Sequence, residues 1–245
     1  VKHLNHLEYL TLSNCNIDTI ESLNHFPGLK LLNLSHNNIN EIKNLEHLNY
    51  LRELDLSHNK IKDISNLEEL KDLKKLSLDH NNVRYITGLN ELKSLEELNL
   101  GNNNIDTISG LNSLANLKKL TLSYNKIDAI RGLKELEQLH WLHLNNNKIE
   151  KIQGLGDLEH LKGLYLSNNK IDKIEGLENL FSLRKIELSD NQIGKIEGLQ
   201  SLKNLQELFL DNNHIKRLEG LDNLEGLIIL FLKGNKIKEF RSEDI

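Results

Sequence analysis

The chain has 245 residues, with 31 Lys and Arg against 36 Asp and Glu, for a formal net charge of −5. That mild acidity, with a pI near 6.1, excludes a general polyanion-binding surface, so no nucleic-acid partner is expected. A single cysteine excludes an internal disulfide framework and points to a reducing, cytoplasmic compartment; no apolar run approaches the roughly 20 residues of a bilayer-crossing helix, and no membrane partner is expected.

From the first coil to the last, one position returns every 22 residues without insertion or deletion. It holds Cys15, then Asn37, Asn59, Asn81, Asn103, Asn125, Asn147, Asn169, Asn191, Asn213 and Asn235. Fixed-period self-similarity of this length means a stacked solenoid rather than a globule around one central core. Residues 1–245 read as one repeat domain, because no linker or change of composition interrupts the pattern. The chain starts in phase at Val1 and contains no Met, so a piece excised from a longer protein is expected.

Each coil reads the same way. In residues 92–113, Leu98-Asn99-Leu100 alternates with period 2 and predicts a short strand with its leucines inward. Gly101 to Asn104 are turn formers. Ile105, Ile108 and Leu111 then recur at every third position, a spacing that suits a tight 3₁₀-like turn better than a full helix. The recurrent Asn follows the strand, where a buried amide can donate to and accept from backbone groups as the chain turns away. Cys15 in the same slot reads as an inert buried thiol.

The recurrent pattern LxxLxLxxNxIxxIxGL, with Gly88, Gly110, Gly132, Gly154, Gly176, Gly198 and Gly220 in the Gly slot and Ser22, Asn44 and Asn66 there in early coils, resembles the leucine-rich repeat family. The 22-residue period resembles its short class, which includes the Leu-rich regulatory subunit of the type-1 protein phosphatase. Bacterial invasion proteins of the internalin type use repeats of the same length, usually with a proline after the second Ile that this chain lacks. The resemblance implies an α/β solenoid: an arc of eleven coils, a parallel β-sheet on the concave face and short 3₁₀ turns on the convex face. At about 4.8 Å per strand that sheet would be roughly 50 Å long.

In such an arc the positions seven, six, four, two and one before each Asn form ladders facing out from the sheet. Four before the Asn, the first six residues are small or polar: Thr11, Asn33, Asp55, Ser77, Asn99 and Thr121. The last five are His143, Tyr165, Glu187, Phe209 and Phe231. Neighbouring ladders add His140, Trp141, Arg184 and, one repeat earlier, Tyr124. Of the five Tyr, five Phe and one Trp, six (Tyr9, Tyr124, Trp141, Tyr165, Phe209 and Phe231) face solvent in this register. Rings in such positions mark a partner, although cross-strand stacking that stiffens the sheet is the competing explanation. Ten basic and ten acidic residues alternate along the ladders, which suits a protein partner better than a phosphate backbone.

Tyr124, His140, Trp141, His143, Tyr165, Arg184, Glu187, Phe209 and Phe231 are therefore the candidate protein-binding residues. His36, His58 and His80 share one ladder in consecutive coils and could seat Zn²⁺ or Cu²⁺ through neutral imidazoles; the alternative is a solvated edge, and no metal or cofactor is expected. No nucleophile elbow, phosphate-cradling glycine loop or paired zinc motif occurs, so no catalysis is expected. At the far end, Leu227, Leu230, Leu232, Ile237 and Phe240 would lie uncovered, with Ile228, Ile229 and Phe231 beside them. This end is expected to be a truncation point, a junction to another domain or a self-association surface. The role expected is a non-enzymatic protein-interaction scaffold, with a phosphatase-regulator-like role as its specific form. The alternatives are the recognition module of a larger GTPase or ligase, or a bacterial-type surface adhesin.

Overall fold

The computed structural model describes residue 4 and residues 6–239. Eleven three-residue strands follow one another, one per coil: β1 (Tyr9–Thr11), β2 (Leu31–Asn33), β3 (Glu53–Asp55), β4 (Lys75–Ser77), β5 (Glu97–Asn99), β6 (Lys119–Thr121), β7 (Trp141–His143), β8 (Gly163–Tyr165), β9 (Lys185–Glu187), β10 (Glu207–Phe209) and β11 (Ile229–Phe231). They form one parallel sheet in sequence order. Every register shift is one whole repeat, so Trp141 pairs with Gly163 and His143 with Tyr165. The eleven-coil solenoid with its parallel sheet is therefore as expected.

Each strand turns its middle residue inward, and the first and third outward. Leu98, Leu120, Leu142, Leu164, Ile186 and Leu208 are buried, and so are the second strand leucines Leu100, Leu122, Leu144, Leu166, Leu188 and Leu210. The convex return is tighter than a helix. Leu92 and Leu95 donate N–H to Leu89 and Leu92 carbonyls at 3.1 and 3.0 Å, single 3₁₀-type bonds placed three residues apart. They seldom run together: among the described residues only Leu23–His25 forms a 3₁₀ helix, and there is no α-helix.

The Asn ladder holds coil to coil. Asn125 Nδ2 donates to the Leu100 carbonyl of the preceding coil at 2.9 Å and to Leu122 and Ser123 carbonyls of its own at 3.1 and 3.3 Å. Its Oδ1 accepts from the Ile105 N–H at 2.9 Å. The pattern repeats from Asn37 to Asn213, and Asn235 keeps its bonds to the Leu210 and Leu232 carbonyls and the Ile215 N–H. Cys15 departs from expectation. Its thiol is exposed, reaching only the Ser13 carbonyl at 3.5 Å, because among the described residues no earlier coil lies over it.

The convex corner needs a left-handed residue. Gly110 sits at φ +69, and a Cβ there would run into the Ile86 carbonyl of the coil before. Asn44 and Asn66 adopt the same region at φ 58 and 57. Their amides donate to the equivalent carbonyls of Ile20 and Ile42, at 2.6 and 2.7 Å. A polar side chain that binds the crowding oxygen thus does what glycine does by omission.

Candidate functional site

The solvent face of the sheet differs between its halves. Over β2–β6 the outward side chains of the third strand position are short, and they leave a groove of about 330 Å³ lined by Asn33, Asp55, Lys75, Ser77, Asn99 and Thr121 among others. Three of these residues also end their own strands. Asn33, Asp55 and Asn99 accept the N–H two residues on, at 2.9, 2.9 and 3.1 Å, so their small polar character is partly a folding requirement.

Over β7–β11 that ladder turns aromatic. His143 stacks on Tyr165 with ring centroids 4.1 Å apart and planes 12° from parallel. Trp141 tilts toward Tyr165 at 6.5 Å, and Phe209 meets Phe231 edge-on at 5.1 Å. Lys185 joins the two groups: its ammonium lies 5.6 Å from the Tyr165 ring centre and 4.8 Å from that of Phe209. Glu187 and Glu207 flank it at 3.0 and 3.2 Å. Burial works to lower the Lys185 pKa, but the bonds and charges of Glu187 and Glu207 outweigh it and hold the ammonium above its ordinary value. Burial among the rings lowers the His143 pKa to about 4, with the Lys119 charge adding to it, so the imidazole stays neutral at pH 7. Burial likewise raises the Tyr165 phenol.

Two features of this half are not visible as a motif. Gly163 stands where every other strand carries a side chain, and a Cβ there would fall inside the indole of Trp141. The indole therefore lies across Gly163 against the sheet. With Tyr165 or Phe231 in place of a strand-ending Asn, the N–H two residues on finds another acceptor. Asn145 Oδ1 accepts from Ser167 N–H at 2.8 Å and Asp211 Oδ1 from Lys233 N–H at 2.7 Å, each reaching into the next coil. The only sequence signal for this exchange is an Asn or Asp two before the repeat Asn in a coil whose neighbour carries a ring.

The expected binding residues do not all gather. Trp141, His143, Tyr165, Glu187, Phe209 and Phe231 lie on one surface. Arg184 is exposed just before β9. His140 stands two coils earlier in the same ladder, with Lys162 between them; it is partly exposed, with Nδ1 2.8 Å from the Gln138 carbonyl, and burial and then the Lys162 charge lower its pKa. Tyr124 departs from the inner face. It occupies the left-handed turn after β6, at φ 58 and 56% exposed, with no ring partner among the described residues. The mixed charges pair across strands, as in Glu8–Lys30 at 2.7 Å and Lys74–Glu96–Lys118 at 3.1 and 2.7 Å. Bonds from Lys118 and Lys74 lower the Glu96 pKa.

His36, His58 and His80 occupy the same left-handed turn position as Tyr124, at φ 55, 52 and 52. Their rings form a stack with successive centroids 4.0 Å apart. Burial, then the charges of His80 and His36, lowers the His58 pKa. Among the described residues the last coil is less covered than the inner coils. Leu227, Leu230, Leu232 and Ile237 are only partly buried, Ile228 is 77% exposed, and β11 pairs with β10 alone; Phe240 lies outside the described residues.

Models of leucine-rich repeats match residues 51–92, 93–135, 137–179 and 182–223, and a further one matches residues 6–27. No curated protein sequence matches the chain. Among solved structures it is similar to an internalin (InlF) of Listeria monocytogenes, with 30% identity and a TM-score of 0.76 over 95% of this chain and 75% of that one. A leucine-rich repeat protein of Leptospira interrogans matches with 26% identity and a TM-score of 0.78, over 96% and 68% of the two chains. An internalin C2 of Listeria monocytogenes matches with 30% identity and a TM-score of 0.70, over 76% and 82%.

Proposed function

We propose that this chain, which belongs to the leucine-rich repeat family, is a non-enzymatic scaffold that holds a protein partner on the concave face of its sheet. The reading rests on one observation: the rings of His143, Tyr165, Phe209 and Phe231 and the indole of Trp141 occupy outward strand positions that are mostly polar or charged in the other strands. A sheet needs no exposed rings to fold, whereas interfaces draw their energy from such anchors. The partner would seat on β7–β11, with Glu187, His140 and Arg184 as polar contacts, and would extend a protrusion into the polar groove over β2–β6. The single cysteine suits a cytoplasmic setting, and there a phosphatase-regulator-like role is the specific form of the proposal.

A second reading, the recognition part of a bacterial-type surface adhesin, is favoured by the likeness to internalins. Both readings use the same face. Capture with the wild-type chain, followed by affinity measurement of the captured protein against Trp141→Ala/Tyr165→Ala, tests the shared claim. Losing Trp141 alone should weaken binding by about 2 kcal/mol or more with little change in melting temperature; unchanged affinity defeats the assignment. Among the described residues the outer edge of β11 is unpaired and would also admit a second copy. Mass that grows with concentration in sedimentation supports that contact, and a strict monomer removes it.

A further inference from the structure

The imidazole stack on the turns after β2, β3 and β4 has a feature that the turn conformation does not require. Asp79 Oδ2 lies 2.7 Å from His80 Nδ1, and its other oxygen accepts from Asn102 Nδ2 at 3.1 Å. The carboxylate is thus held from two sides and fixes its histidine. With the proton on Nδ1, the His80 Nε2 lone pair is left to accept or ligate. Donor atoms of His58, Asp79 and His80 all lie within 4.8 Å of one another.

We propose that His58 and His80, with Asp79 orienting the His80 ring, form a binding site for a divalent transition metal ion of the zinc class. The donor set argues for this class. Imidazole nitrogens backed by carboxylate suit Zn²⁺, Cu²⁺ and Ni²⁺, whereas Ca²⁺ and Mg²⁺ demand oxygen ligands. A tetrahedral ion with metal–nitrogen bonds of 2.0–2.1 Å needs donors about 3.3 Å apart. Donors no more than 4.8 Å apart reach that spacing by rotation of side chains that stand on turns outside the strands. His36 stacks on the far side of His58, and the stack must open for the His58 and His80 rings to converge on one ion.

The test is calorimetric titration of the chain, free of any polyhistidine tag, with Zn²⁺, alongside NMR of the histidine ring nitrogens. One ion should bind per chain, and the His58 and His80 signals should move first. His58→Asn/His80→Asn keeps residues that the same turn already accepts in Asn102 and Asn146, so the fold should survive. It should weaken Zn²⁺ binding at least tenfold, and Asp79→Asn should weaken it by about tenfold. Equal affinity in the double variant would overturn the site, as would earlier movement of His140 and His160, whose rings lie 6.4 Å apart. Equal affinity in Asp79→Asn alone would overturn the orienting role.

Discussion

Asn125 concentrates the logic of the repeat into one amide. It makes four hydrogen bonds, two of them to the preceding coil, and its removal strands buried carbonyls and an N–H together. Asn125→Ala should therefore cost about 1–3 kcal/mol, measured by denaturant unfolding; a wild-type midpoint would contradict it. His143 makes a prediction of a different kind. Its folded pKa of about 4 lies below the ordinary 6.5, so between those values the unfolded chain takes up a proton that the folded chain refuses. The stability associated with this ring is complete above pH 6.5 and falls as pH drops toward 4. Unfolding curves of wild type and His143→Gln should diverge through that window, with wild type losing more; parallel curves would show the ring to be solvated.

At the scale of the strand, the period and alternation made β1–β11 and their inward leucines legible, because burial of one face is written directly into apolar spacing. The ladder from Thr11 to Phe231 was legible for the same reason. Where each ring would lie was not, since ring orientation depends on neighbours in other coils. Gly163 is the plainest case: a missing side chain in β8 lets Trp141 of β7 lie flat. Gly163→Ala should lift the indole, and Trp141, the single Trp, reports on itself. A red-shifted emission with an almost unchanged melting temperature is expected; an unchanged spectrum would mean the indole never rested there. Tyr124 escaped sequence reasoning because the strand ends at Thr121, and the position before the repeat Asn belongs to a left-handed turn. Cys15 is exposed for a third reason, the want of a covering coil among the described residues, which a periodic pattern cannot express. Asn145 and Asp211 likewise act across coils, taking over the backbone bonds that rings cannot make.

Across the whole molecule, the sheet has a polar half that carries a groove and a half whose third-position ladder turns aromatic. Strand-ending Asn33, Asp55 and Asn99 account for part of the first, and the second carries the rings on which the proposed partner would seat. The outer turns supply internal controls, since Tyr50, Tyr85 and Phe181 are exposed away from the strands. Hydroxyl-radical footprinting of the complex with its captured partner is the most direct test of a partner held on the sheet. Trp141, Tyr165 and Phe209 should be protected while Tyr50, Tyr85 and Phe181 stay as reactive as in the free chain. Protection of the outer three, with the sheet rings still open to oxidation, would contradict the account.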